Sequence, residues 1–398
     1  MVQLRRRRSD PPPREAGRGR AGRGDCGDPC DIRCTEITDT CTCADTGTDT
    51  GTDGNPIGTG DIDRCADAEA NAGHRASEAL AVSCAPHRVS WDPAALPSQN
   101  GKTFVVTGAN AGLGYFTSES LARAGADVVL ACRNPSKADA ALASIRRRVP
   151  GAKVSTVRLD VASLASVEAG AAQLQELPRI DGLILNAGIV HPPRHREVSV
   201  DGHELVFATN VLGHFALTAQ LMPALLTTPG SRVVAVGSLI SYLLDSQLDD
   251  VELTSHYNPQ RAYAQSKIAA QVFGFELDRR LRAAGVGGPD GIQALVAHPG
   301  YSISGRTPAI RGVNKPGRRK RFVDNLQAPL AQGKDRGAWS IVRAAIDPNA
   351  AGGQYYGPRF TTKGRPAVQQ PTPTSLDRGV AARLWTYAEE ATATTFPF

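Results

Sequence analysis

The chain has 398 residues, 41% of them hydrophobic, and a net charge of +6 at pH 7. That is enough apolar material for a sizeable core, while so mild a charge, without aromatic or groove-reading elements beside it, argues against a nucleic-acid-binding face. No stretch approaches the roughly 18 consecutive apolar residues of a membrane span, and no apolar segment follows Arg5–Arg8 as a secretory signal requires. The other basic clusters, Arg146–Arg148 and Arg318–Arg321, read as solvated surface.

Residues 1–88 are rich in Arg, Gly, Asp, Thr and Pro, and the stretch from Asp39 to Gly60 is nearly a Thr/Gly/Asp/Cys repeat. Such a composition cannot bury enough apolar surface to offset the entropy of ordering, so a disordered extension is expected. A metal site from Cys26, Cys30, Cys34, Cys41 and Cys43 is the alternative, but their spacing lacks the paired C-x-x-C of a zinc ribbon. A third reading starts the native product near Val89, leaving 1–88 out. Seven of the eight cysteines lie at or before Cys84, and only Cys132 remains beyond. One cysteine in the folded part fits a reducing compartment, and a cytoplasmic protein is expected.

From Lys102 an α/β alternation begins. Apolar runs predict strands at 103–107, 127–131, 153–158, 182–185, 231–236 and 293–297. Helical patterns fall between them at 112–124, 136–148, 163–176, 202–226 and 262–284. Short continuous apolar strands separated by helices predict a parallel sheet covered on both faces, a doubly wound α/β domain over 89–398. Ligands of such a sheet sit beyond the carboxyl ends of its strands. The basic, Gly/Pro-rich segment 301–335 breaks the rhythm after the sixth strand, either as a mobile lid over the site or as an ordinary surface excursion. A short helix near 338–345, a strand at 354–356 and a closing helix near 376–390 end the chain.

The pivot of the pattern is Thr107-Gly108-Ala109-Asn110-Ala111-Gly112-Leu113-Gly114. It follows a strand and opens a helix, the context in which a glycine-rich turn cradles a pyrophosphate. Gly108 serves the tight turn, Gly112 the close approach of backbone N–H groups, and Gly114 the packing of helix on sheet. A turn without a ligand is the alternative. Where NAD-binding folds place an acidic residue, about 20 positions on, this chain reads Ala131-Cys132-Arg133-Asn134. An acid would repel a 2′-phosphate and Arg133 would attract one, which favours NADP(H) over NAD(H), unless Arg133 is a plain surface residue. Asp160 is placed either to accept from an adenine amino group or to cap the helix that follows.

Tyr263 and Lys267 lie four apart on a predicted helix, hence on one face. An ammonium beside the phenol would lower its pKa and make it a usable acid/base. Ser238 stands just beyond the strand ending at 236, and Asn210 is a polar residue inside an otherwise apolar helix, where it is unfavourable without a local reason. Leu239, Ile240, Tyr242, Leu243 and Leu244 form either an apolar pocket wall beside Ser238 or core. The eight histidines, His214 and His298 among them, show no metal-ligand spacing, and no metal is expected.

Taken together, Thr107-Gly108-x-x-x-Gly112-x-Gly114, Asn186-Ala187-Gly188, the Asn210 helix, Ser238, Tyr263-x-x-x-Lys267 and Pro299-Gly300 resemble the short-chain dehydrogenase/reductase family, over roughly residues 100–300. Ala-Cys-Arg-Asn after the second strand and Tyr-x-Gln-Ser-Lys resemble its retinol dehydrogenase-like and protochlorophyllide reductase-like branch. The resemblance implies a Rossmann fold and a hydride transfer between NADP(H) and a small or lipophilic alcohol or ketone. It implies Tyr263 as general acid/base, Lys267 as its activator and ribose holder, Ser238 as the carbonyl-orienting hydroxyl, and Asn210 as anchor of a water relay to Lys267. Thr107, Gly108, Asn110, Gly112, Leu113, Gly114, Arg133, Asp160, Val161, Asn186, Ala187, Gly188, Pro299 and Gly300 would line the cofactor site. Leu185 stands where the family often has a second asparagine, and the 25 positions from Ser238 to Tyr263 suggest an insertion over 245–260. Family members often dimerise through the helices carrying Asn210 and Tyr263, which leaves a homo-oligomer open. A non-catalytic dinucleotide sensor on the same fold is the rival reading, against which Ser238, Tyr263 and Lys267 together argue.

Overall fold

The computed structural model describes residues 91–398. The low-complexity segment, its cysteines and Val89 lie outside the described residues. In chain order the strands are β1 (Thr103–Thr107), β2 (Asp127–Cys132), β3 (Val154–Arg158), β4 (Gly182–Leu185), β5 (Arg232–Val236), β6 (Gln293–Ala297), β7 (Ser302–Ile303), β8 (Gln332–Gly333), β9 (Tyr355–Pro358) and β10 (Pro366–Gln369). The α-helices are α1 (Gly112–Arg123), α2 (Pro135–Arg148), α3 (Leu164–Gln175), α4 (Leu205–Phe207), α5 (Gly213–Leu226), α6 (Pro259–Ala283), α7 (Arg318–Asn325), α8 (Lys334–Ile346), α9 (Pro373–Leu376) and α10 (Arg378–Thr392).

Eight strands form one sheet in the order β3-β2-β1-β4-β5-β6-β9-β10, parallel except for β10. The direction of winding reverses between β1 and β4, so the crevice of this Rossmann fold opens beyond their carboxyl ends. The strands are continuous apolar runs because both faces are covered, and their side chains alternate between two cores. Val105, Val129, Leu183, Val233 and Val296 point to one core, closed by α3, α5, α6 and α10. Phe104, Val106, Leu130, Ile184 and Leu295 point to the other, closed by α1, α2 and α8.

The expected helix over 202–226 is broken. A short α4 gives way to a π-helical turn, Ala208–Leu212, before α5 resumes. The whole run, Leu205–Leu226, is long and apolar enough to cross a membrane, which the sequence reading had not credited, but 89% of its apolar window is buried inside the fold. It serves here as a core helix. The strand β10 had no counterpart in the sequence reading: Pro366-Ala367-Val368-Gln369 carries no alternation, and only antiparallel pairing with β9 makes it a strand.

Segment 301–335 is a folded excursion closed on itself. β7 pairs with β8, the Gly305 amide donates to the Asp324 carboxylate at 2.6 Å, and the Lys334 amide donates to the Thr307 hydroxyl at 2.9 Å. The segment 245–260 is held by Glu252, whose carboxylate takes the Arg196 guanidinium, His203, the Glu204 amide and the Tyr387 hydroxyl. It thereby ties the loop beside the site to the closing helix α10.

Candidate active site

Thr107, the last residue of β1, is the joint on which the crevice turns. Its hydroxyl oxygen accepts the amides of Asn186 and Ala187, each at 2.9 Å, and its carbonyl accepts the Asn186 side-chain amide at 2.8 Å. The loops after β1 and β4 are thus stitched together at the point of reversal. The same hydroxyl stands 3.0 Å from His214 Nε2, while His214 Nδ1 lies 3.3 Å from the Asn210 carbonyl. Burial pushes His214 down to about 4, so it is neutral at pH 7. A carbonyl only accepts, so Nδ1 carries the proton and Nε2 is an acceptor beside the Thr107 hydroxyl, which also has the Ile184 carbonyl at 3.2 Å as an acceptor for its one proton. His214 therefore couples the glycine turn to the Asn210 turn. The sequence offered no sign of this beyond the position of His214.

The glycine turn has the shape a dinucleotide needs. Gly108 and Gly112 adopt φ +65° and +60°, and a Cβ at Gly108 would come within 2.8 Å of the Ala187 backbone. At Gly114 a Cβ would collide with the Gly108 carbonyl and the Asn186 side chain. The first turn of α1 has no capping side chain, whereas α2, α3, α6 and α10 are capped by Asn134, Ser163, Asn258 and Asp377. The amides at the start of α1, like those of α7, α8 and α9, meet no capping side chain, and a phosphate would fit them. The Cys132 thiol lies near the backbone of Ala109 and Asn110, and burial pushes it up to about 11. Leu113 packs on the α1 side of the core.

Arg133 leaves the end of β2 with its side chain 75% exposed, tethered only by a 3.8 Å contact to Asp160. Asp160 also accepts the Ala162 amide at 3.1 Å, and the cap of α3 is Ser163, not Asp160. Val161 is buried, its carbonyl against Gly213. Pro299 is fixed by its carbonyl, which accepts from the Ser302 hydroxyl and the Gln332 amide. Gly300, at φ +64°, donates its amide to His298 Nδ1 at 3.2 Å.

One residue beside the glycine turn had no signal in the sequence. The Lys334 ammonium lies 3.6 Å from the position a Cβ would take on Gly112. Lys334 opens α8, far along the chain, and the folding of 301–335 carries it over the glycine turn.

The residues expected to carry the chemistry meet beyond the carboxyl end of β5. The Tyr263 hydroxyl donates to Ser238 Oγ at 3.2 Å. Lys267 is 5% exposed, and its ammonium donates to the Val236 carbonyl at 2.9 Å. Gly188 lies where Asn210 and Lys267 converge: a Cβ there would stand 2.8 Å from Asn210 Oδ1 and 3.6 Å from Lys267 Nζ. The Asn210 side chain is spent on Ile189, accepting its amide at 2.8 Å and donating to its carbonyl at 3.2 Å, and it also donates to Ser266 Oγ at 2.9 Å. That is the local reason for an asparagine in an apolar helix.

The phenol differs from the sequence expectation. Burial pushes the Tyr263 hydroxyl up, and the Ser238 hydrogen bond only partly opposes this. The Lys267 ammonium, for its part, is engaged by the carbonyl at the end of β5. Burial also pushes Lys267 down to about 8 from its ordinary 10.5. Between those values the unfolded chain binds more protons than the folded one, so this group makes stability rise with pH across that window, and its cost is fully present below pH 8. Replacing Lys267 by methionine is therefore expected to raise stability at pH 7 by about 2 kcal/mol, the charge burial relieved less one hydrogen bond lost. Thermal melts should show the gain shrinking by pH 10.5, while turnover falls.

The turn leading from Ser238 is a 3-10 helix, Leu239–Tyr242, and the leucines after it face outward rather than into the core, Leu243 being 69% exposed.

Residues 102–304 match the family model described as short chain dehydrogenase. The chain is 35% identical over 305 residues to polyprenol dehydrogenase of Mus musculus, covering 75% of this chain and 86% of the relative. It is 34% identical over 306 residues to retinol dehydrogenase 14 of Homo sapiens, covering 73% of this chain and 86% of the relative. Among solved structures, an uncharacterized protein from Mycobacterium paratuberculosis is 37% identical with a TM-score of 0.62, covering 77% of this chain and 99% of that one.

Proposed function

The chain belongs to the short-chain dehydrogenase family, in its retinol dehydrogenase-like branch, and from that premise we propose that it is an NADP-preferring oxidoreductase acting on a lipophilic alcohol or the matching carbonyl. The observation that carries this reading is the Tyr263–Ser238 hydrogen bond at the carboxyl end of β5, with outward-facing leucines leading from it. Relatives named for retinol and polyprenol support a long, apolar substrate.

The crevice would hold a nicotinamide cofactor, which would supply or accept the hydride when bound. Ser238 and Tyr263 hold the substrate oxygen between their hydroxyls, and Tyr263 donates the proton in reduction or accepts it in oxidation. Asn210 positions the 186–189 loop, and Lys267, anchored at Val236, keeps a cation beside Gly188. A water relay from Asn210 to Lys267 would run through the Asn210 main chain, since its side chain is engaged. The uncapped start of α1, with Lys334 beside it, would hold the phosphates, and Arg133 would read a 2′-phosphate. The domain extends over 89–398, and its compartment is proposed to be the cytoplasm.

The direction of the phenol's shift sets a pH signature. A neutral phenol is ready to donate, so carbonyl reduction should be steady through neutral pH. Oxidation needs the phenolate, so it should accelerate as pH rises toward 10 and beyond. The test is turnover of retinal, retinol and a polyprenol with each nucleotide across that range. Oxidation that is independent of pH, or no turnover of any apolar alcohol or carbonyl by a chain that binds nucleotide, would count against the proposal and in favour of a sensor.

A further inference from the structure

Helix α7 is built inside out. Its one buried residue is the acid Asp324, whose carboxylate accepts the Gly305 amide and pairs with Lys320 at 3.2 Å. Its apolar residues point to solvent: Phe322 is 68% exposed and Leu326, one turn on, 69%, with Val323 and Leu330 exposed as well. A helix that buries its acid and shows its phenylalanine has an apolar face still to be covered. The surrounding charge is one-sided. From residue 311 to 321 the sequence carries six cations, Arg311, Lys315 and Arg318–Arg321, and no acid. Arg318, Arg319 and Lys320 are exposed beside the apolar face.

We propose that α7 is a docking surface for an anionic lipid bilayer, with Phe322, Val323 and Leu326 entering the interface and Arg318 and Arg319 meeting acidic headgroups. Apolar residues flanked by cations are the combination that holds a helix in a membrane surface. A second copy of the chain fits less well, because two faces of like charge would be pressed together. The face also adjoins the mouth of the site. The Tyr301 hydroxyl, next to Gly300, donates to Gln327, and Lys363 donates to the Ala328 carbonyl at 3.3 Å, bringing the turn that carries exposed Phe360 to the same segment. If the proposed activity on lipophilic alcohols holds, the substrate would enter from the bilayer without crossing water.

The test is co-sedimentation of the full chain with vesicles of phosphatidylcholine alone and of phosphatidylcholine mixed with phosphatidylserine. The variants are Phe322→Ser with Leu326→Glu, and Arg318→Glu with Arg319→Glu. The wild type should bind the mixed vesicles at least ~10-fold better than the neutral ones, and each variant should lose that preference. Nucleotide titration and mass by light scattering should be unchanged in both. A wild type that stays in solution would overturn the proposal. So would binding that survives both variants, which would assign it to Arg5–Arg8 or another surface. Self-association lost in the same variants would make the face an interface between copies instead. Vesicle binding is read without turnover, so its failure leaves the proposed activity standing, and the reverse.

Discussion

Tyr263→Phe is expected to lower turnover by about 100- to 10,000-fold, the usual worth of a positioned acid/base, with nucleotide affinity unchanged. The substitution removes one oxygen and keeps the ring, so the packing of α6 is undisturbed. The Ser238 hydroxyl loses the donor 3.2 Å away but keeps the Ile240 amide at 3.3 Å, and the floor of the site survives. Single-turnover rates and a nucleotide titration separate the two quantities. A variant that binds nucleotide and retains most of its turnover would remove Tyr263 from the chemistry.

Arg133→Asp should reverse the nucleotide preference. The guanidinium is exposed and weakly tethered, so it is free to pair with a 2′-phosphate. A charge-assisted hydrogen bond is worth about 1.5–3 kcal/mol, which corresponds to a loss of about 10- to 150-fold in NADPH affinity. The new carboxylate, beside Asp160, would repel a 2′-phosphate and accept from a free ribose hydroxyl, so NADH should gain. Arg133→Gln should weaken NADPH without favouring NADH. Lys334→Met should weaken both nucleotides alike, because its ammonium stands over the glycine turn and not at the ribose end. Fluorescence titration of the wild type giving equal affinities for NADPH and NADH would dismiss the role of Arg133.

Chain-local pattern carried most of the architecture. The apolar runs at β1, β4 and β6 end where the sequence pattern ends them, because a strand buried on both faces is apolar through its middle, at Phe104–Val106, Leu183–Leu185 and Ala294–Ala297. The glycine turn was legible for a similar reason: its backbone angles and close approaches exclude other residues at Gly108 and Gly114. The spacing of Tyr263 and Lys267 was equally visible, since a helix fixes which residues share a face.

What escaped the sequence lies in contacts between segments far apart in the chain. No local pattern places Lys334 over Gly112, aims the Asn210 amide at Ile189, or turns the Lys267 ammonium to Val236. Each of these depends on which loops the sheet order brings together. Helix α7 is the clearest case. Its sequence, with four cations and then Phe-Val, read as solvated surface, and only the pairing of Asp324 with the Gly305 amide decides that the acid faces inward and the apolar residues out. Periodicity states that a helix has two faces; which one is buried is set by the partner it meets, and that partner is known only once the chain has folded.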